Sequence, residues 1–125
     1  MSALGHSDVA LAYLRHMERG DIAGGLLLFT DDAKARLPGH PELSRAQLQE
    51  YLTGAHQGFV ASSLKFQPTG VTAEGDRVAL EVESSAILKN GLPYRNRYHL
   101  LFVFRGGMIR LMHVYTDGAL AAALA

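Results

Sequence analysis

Five polar residues stand where an otherwise apolar chain could do chemistry: Tyr13 on an N-terminal helical stretch, and Glu83, Ser85, Asn96 and Tyr98 in two long alternating runs. A carboxylate such as Glu83, drawn into an apolar cavity, has its pKa raised toward the range useful for moving protons. A phenol such as Tyr13 donates a hydrogen bond to an oxygen that gains negative charge during a reaction. Asn96 and Ser85 can orient a carbonyl or hydroxyl of a ligand, or satisfy each other across paired strands. Tyr13 also reads as a core tyrosine whose hydroxyl finds a partner at the rim, and Glu83 as a carboxylate paired with a cation or turned to solvent. His56 reaches toward the pocket mouth or serves as a surface or capping group. The six histidines form no H-x-H or H-x-x-x-H pair and cysteine is absent, so neither a metal site nor a cofactor is implied.

These residues need elements to hold them. Three strand-like runs, Arg77 to Lys89, Leu92 to Arg105 and Met108 to Thr116, are separated by Asn90-Gly91 and Gly106-Gly107, dipeptides suited to tight hairpins. A two-residue Asn90-Gly91 loop makes paired residue numbers sum to 181, setting Ile87 opposite Tyr94, Ser85 opposite Asn96 and Glu83 opposite Tyr98. Period two extends that inward face through Leu100 and Phe102. A two-residue Gly106-Gly107 loop sends His113 and Tyr115 inward, whereas a bulge sends Met112, Val114 and Thr116 inward instead.

The N-terminal half reads as helical. Ser7 caps a helix to about Arg19, with Val9, Tyr13 and Met17 on one face and Gly20 ending it. Asp21 caps a second helix through Leu28 or Phe29, and Thr30-Asp31-Asp32-Ala33 reads as a turn before a short strand at Lys34 to Leu37. Ser44-Arg45-Ala46-Gln47 matches a capping box, opening a third helix with Leu48, Leu52 and Ala55 on its apolar face and an end near Gly58. Met17 and Leu52 thus complete the candidate ligand-binding lining. Ser62 to Ala73 turns to period two, with Pro68 marking an edge or a bulge, and Asp117 can cap a short C-terminal helix. Helices first and tightly connected strands after them give a single domain of the α+β class, with helices against one face of an antiparallel sheet.

The chain has 125 residues, 48% of them hydrophobic, so one domain can bury a real core. Twelve basic and twelve acidic residues cancel, which leaves no electrostatic footprint for nucleic acid or an anionic membrane. No apolar run approaches the ~20 residues of a membrane span, and no signal-peptide pattern opens the chain, so a soluble, cytoplasmic protein is expected. Near-zero net charge does little to oppose self-association.

The succession of Tyr13, Gly20-Asp21, Leu28 to Ala33, Lys89 to Tyr98, Phe102 to Ile109 and Tyr115-Thr116-Asp117 resembles the SnoaL-like branch of the nuclear-transport-factor-two-like superfamily. The resemblance implies a cone-shaped α+β barrel of three helices and a curved sheet, a deep internal pocket and a homodimer. It favours the bulge that places Met112 and Val114 inside. Relatives of this kind include ketosteroid isomerases, polyketide cyclases, epoxide hydrolases and dehydratases. Tyr13 matches the oxyanion-hole tyrosine of the isomerases, but their general base falls at Leu37 and their second donor near Leu100. The acidic and basic positions of the epoxide hydrolases fall at Glu83, Ser85 and Val114, none carrying the family's residue. The expectation is a pocket for an apolar or aromatic carbonyl compound, with Tyr13 and Glu83 as catalytic residues in an isomerase, cyclase or dehydratase. A ligand-binding or dimerisation module of the same fold without catalysis is the alternative.

Overall fold

A computed structural model describes residues 3–116 of the chain; the expected helix at Asp117 lies outside them. Three helices, α1 (Ala3–Glu18), α2 (Ile22–Leu26) and α3 (Arg45–His56), accompany six strands. The strands are β1 (Phe29–Arg36), β2 (Leu43–Ser44), β3 (Lys65–Glu74), β4 (Arg77–Ile87), β5 (Pro93–Arg105) and β6 (Met108–Thr116). They form one open sheet in the order β2-β1-β6-β5-β4-β3, antiparallel except where β1 runs parallel to β6. Among the described residues the sheet keeps two edges, β2 and β3, and does not close into a barrel. No helix among the described residues is long and apolar enough to cross a membrane.

The buried residues Ala10, Tyr13, Leu14 and Met17 recur at helical spacing along α1 and press it against the sheet. At its start His6 stacks on Phe104 at 4.4 Å and donates through Nδ1 to the Gly75 carbonyl at 2.9 Å. Near its end Glu18 accepts the Phe66 backbone N–H at 2.7 Å, tying the helix to edge strand β3. The helix begins before Ser7, which is a buried residue within it and not its cap. Gly20, at φ +71°, ends it as expected: its N–H bonds to the Met17 carbonyl and that of Asp21 to the His16 carbonyl, at 3.1 and 2.9 Å. This is the Schellman arrangement, which needs a left-handed residue.

Asp21 caps α2 as expected, accepting the Gly24 N–H at 3.0 Å, but the helix stops at Leu26. Arg45 donates to the Leu26 carbonyl from Nε and Nη2 at 3.1 and 2.8 Å, satisfying the helix end and fastening it to α3. The expected turn at Thr30 to Ala33 lies inside β1. Phe29, Ala33 and Ala35 face the core, while the register shift between Phe29 and Lys34 spans the exposed Asp31-Asp32 pair. Asp32 pairs with Arg105, which holds its carboxyl at about 2, below the usual carboxylate range. The capping box at Ser44 and Gln47 forms in full. Pro68 sits on an edge strand next to a register shift, as its missing N–H favours.

The β4–β5 hairpin departs from expectation with the largest effect. Gly91, at φ +86°, is left-handed and its N–H bonds to the Leu88 carbonyl at 2.8 Å, whereas Asn90 keeps a negative φ. A type I′ turn needs both central residues left-handed, so the chain instead makes a three-residue loop closed by Leu88 N–H to the Leu92 carbonyl at 2.9 Å. Paired numbers therefore sum to 180: Val82 faces Tyr98, Ser84 faces Asn96, and Glu83 faces Arg97. The single extra loop residue turns β4 over. Val78, Leu80, Val82 and Ser84 are buried, while Glu83 and Ser85 are exposed on the outer face.

At the β5–β6 turn Gly106 and Gly107 are both left-handed and Arg105 pairs with Met108, giving the two-residue loop. A bulge then shifts the register between Val103 and Phe104, so Phe102 faces Met112 and Leu100 faces Val114. Met112 and Val114 point inward, while the His113 and Tyr115 rings stack at 4.1 Å on the other side.

The β4 register has a direct thermodynamic signature. Leu80→Ala should cost about 2–5 kcal/mol, the usual range for truncating a fully buried leucine, while Glu83→Ala should stay within about 0.5 kcal/mol. Urea unfolding of the two variants measures both; the opposite ranking would restore the two-residue turn.

Candidate functional site

The inner face of the sheet, α1 and α3 enclose a cavity of about 380 Å³. α1 contributes Tyr13, Leu14 and Met17, and α3 contributes Tyr51, Leu52, Ala55 and His56. From β5 come Tyr94, Asn96, Tyr98 and Leu100, and from β6 Met112, Val114 and Thr116. Phe59 and Phe66 close the side near the β3 edge. No Asp, Glu, Lys or Arg is among the described lining residues.

Of the expected site residues, Tyr13, Met17, Leu52, Asn96, Tyr98, Leu100, Met112 and Val114 meet at this cavity. Phe102 does not line it. Fully buried behind Tyr13, it makes an edge-on contact with that ring at 5.7 Å, and Phe29 makes a second at 5.6 Å. Contacts of this kind contribute roughly 0.5–1.5 kcal/mol each beyond area burial, and here they hold the Tyr13 ring in place. Glu83 and Ser85 are corrected outright: the three-residue loop places both on the outer face, so Glu83 does not converge with Tyr13 and Ser85 does not meet Asn96. Ser84 stands opposite Asn96 in place of Ser85, but it is not among the described lining residues.

The polar wall of the cavity is a connected chain. The Asn96 side-chain oxygen accepts the Arg97 backbone N–H at 2.8 Å, and only an oxygen can do so, which fixes the amide orientation. Its Nδ2 then donates to the Tyr94 hydroxyl at 3.0 Å, and Tyr94 lies 3.2 Å from the Tyr98 hydroxyl. Either phenol can donate in that pair, and the one that accepts keeps its own proton for a ligand. Such a chain polarises along its length, each acceptor becoming a better donor. The two sheet phenols add to Tyr13 from the helix side.

Burial raises the pKa of Tyr13 well above the ordinary phenol value, and Tyr98 close by raises it further. Tyr98 is likewise pushed up, first by burial and then by its bond with Tyr94, while Ser84 and Asn96 offset part of the shift. The Ser84 hydroxyl lies near enough to matter to Tyr98 yet makes no well-formed hydrogen bond of its own. Both phenols thus remain neutral donors. At the α3 end of the cavity His56 Nε2 is buried with no hydrogen-bond partner. Tyr94 and His56 join the lining without being among its expected ligand-binding residues. Each carries a signal, Tyr94 sharing the period-two face of Asn96 and Tyr98, and His56 following Leu52 by one helical turn.

A SnoaL-like domain matches residues 10–112, most of the chain. The chain belongs to the SnoaL-like family. Among solved structures it is similar to AclR, a candidate hydroxylase from Streptomyces galilaeus. The TM-score is 0.87 at 18% identity, over 98% of this chain and 96% of that one. A candidate polyketide cyclase from Xanthomonas campestris pv. campestris superposes with a TM-score of 0.80 at 19% identity, over 97% and 96% of the two chains. A candidate isomerase from Bacillus subtilis gives 0.82 at 20% identity, over 98% and 94%. At such identities the likeness is one of fold. No curated protein matches this SnoaL-like chain.

The raised phenols predict a pH dependence with a definite sign. A folded-state pKa above the unfolded value of about 10 contributes stability that is complete below pH ~10 and is lost as pH rises past it. Absorbance titration of the phenolate band should therefore show Tyr13 and Tyr98 silent through the ordinary range, ionising only above it or on unfolding. Tyr98→Phe should remove one of these late ionisations, and a normal titration of all tyrosines in the folded protein would contradict the buried chain.

Proposed function

We propose that this SnoaL-like protein binds a neutral apolar or aromatic carbonyl compound in its cavity and converts it by isomerisation, cyclisation or dehydration. The observation that carries this reading is the hydrogen-bonded Asn96–Tyr94–Tyr98 chain, whose pair of lining phenols leaves one hydroxyl proton for a ligand. A wall of donors selects an oxygen acceptor on the ligand, such as a ketone or quinone carbonyl. No Asp, Glu, Lys or Arg is among the described lining residues, and burying a ligand charge without a partner would cost several kcal/mol, which favours a neutral ligand. Tyr13 and Tyr98 then stabilise negative charge as it develops on that oxygen, in a site already organised to receive it. A cavity of about 380 Å³ suits a molecule of two or three fused rings.

A homodimer through the outer sheet face accompanies this reading. That face exposes Ile87 and Tyr115 beside the Glu83 and Arg97 charges, and sedimentation equilibrium tests it. The non-catalytic alternative is supported by the lack of a carboxylate among the described lining residues. The two are separated by whether a bound ketone is recovered altered or unaltered.

Native mass spectrometry of the purified protein should reveal a retained neutral ligand. With the aromatic ketone 2-tetralone as a probe, Tyr98→Phe should weaken binding up to about tenfold, the worth of one neutral hydrogen bond of ~1.4 kcal/mol. Glu83→Gln should leave affinity unchanged. Equal affinities for wild type and Tyr98→Phe would sink the carbonyl reading.

A further inference from the structure

We propose that His56 is the proton acceptor of the cavity, taking a hydrogen from carbon adjacent to the ligand carbonyl. The inference rests on the carbonyl-binding reading and supplies what that reading lacks, a base. Glu83, the acid expected to move protons, lies on the opposite side of the sheet. Tyr13 and Tyr98 are held neutral by burial, and Asn96 and Thr116 do not titrate. His56 is the one imidazole among the described lining residues.

Its surroundings suit that task. The ring is positioned by packing: it lies over Gly20, where an added Cβ would stand 3.0 Å from Cε1 and 3.3 Å from Nε2, and it meets the Phe59 ring edge-on at 6.3 Å. Gly20 therefore serves two ends, closing α1 in a left-handed conformation and leaving room for the imidazole. Nε2 is buried and unpartnered, and buried polar groups without partners are rare enough to call for an explanation. A ligand that draws the ring from Gly20 toward the cavity would supply that partner. His56 also occupies the last turn of α3.

The step balances with groups on both sides of the cavity. The imidazole takes a proton from the carbon beside the carbonyl, the C–H electron pair forms the enolate double bond, and the carbonyl oxygen receives the negative charge. Tyr13 and Tyr98 hold that oxygen. The proton returns to the same carbon or to another position of the enolate, which is exchange in the first case and isomerisation in the second.

Proton exchange of 2-tetralone in D2O, followed by 1H NMR at its C1 position, tests this without knowledge of the natural substrate. Saturation-transfer difference spectra report binding separately. Wild type should bind the ketone and exchange C1 hydrogens faster than buffer. His56→Gln should bind it and lose about 100-fold or more of the enzymic exchange, the usual contribution of a positioned base. Added imidazole should restore part of the exchange to His56→Ala. In wild type, the His56 15N resonances should shift on addition of the ketone, a readout independent of how the variants fold. Binding without exchange above buffer, full exchange in His56→Gln, or unmoved His56 resonances would each overturn the proposal. Absence of binding would instead remove the carbonyl reading on which it rests.

Discussion

The pairing of Val82 with Tyr98 and Ser84 with Asn96 is the constraint on which the inner surface depends. Side chains alternate strictly along a strand, so one ladder register determines which half of β4 faces the helices and which half faces outward. With this register β4 offers Val78, Leu80 and Val82 to the core, and β5 can give its inward positions to Asn96, Tyr98 and Leu100. α1 packs on the resulting surface through Tyr13, which is held between Phe29 and Phe102. A shift by one residue would expose that apolar set and bury Glu83, at a cost the domain has no evident means of offsetting.

Two glycine-containing turns control this geometry in different ways. At Gly91 a single left-handed residue makes a three-residue loop and changes the parity of β4 against β5. At Gly106-Gly107 both residues are left-handed and the loop is minimal, but the bulge opposite Val103 and Phe104 changes the parity of β6. The net result is a cavity whose sheet wall is mostly apolar from β6 and mostly polar from β5. This separation lets an apolar body and a hydrogen-bonding oxygen of one ligand find different surfaces. His56, arriving from α3, stands apart from the phenols because it belongs to a separate element.

Much of the fold is legible in residues with local consequences. The Ser44 and Gln47 capping box, the stop at Gly20, Pro68 on an edge and the three hairpin-linked strands all depend on a few neighbouring residues, and all appear. Phe29 to Ala33 is harder to read because its two aspartates look like a turn, while the strand there is held by long-range parallel pairing with β6. Ser7 misleads for another reason: serine inside a helix and serine at its start differ little in sequence. The β6 lining follows from the family resemblance and not from turn chemistry, since the bulge lies beyond the glycines that suggest the turn.

For the candidate site the sequence by itself determined the inventory and one face: Tyr94, Asn96, Tyr98 and Leu100 share a strand face by alternation, and Tyr13 and Met17 share a helix face by periodicity. Those relations are fixed by covalent spacing and hold in any register. Which strand face opposes another is fixed by loop hydrogen bonds and collective packing, quantities that no single residue carries. Only the tertiary structure could therefore send Glu83 and Ser85 outward, set Phe102 behind Tyr13, orient the Asn96 amide through the Arg97 N–H, and bring His56 over Gly20 into the cavity.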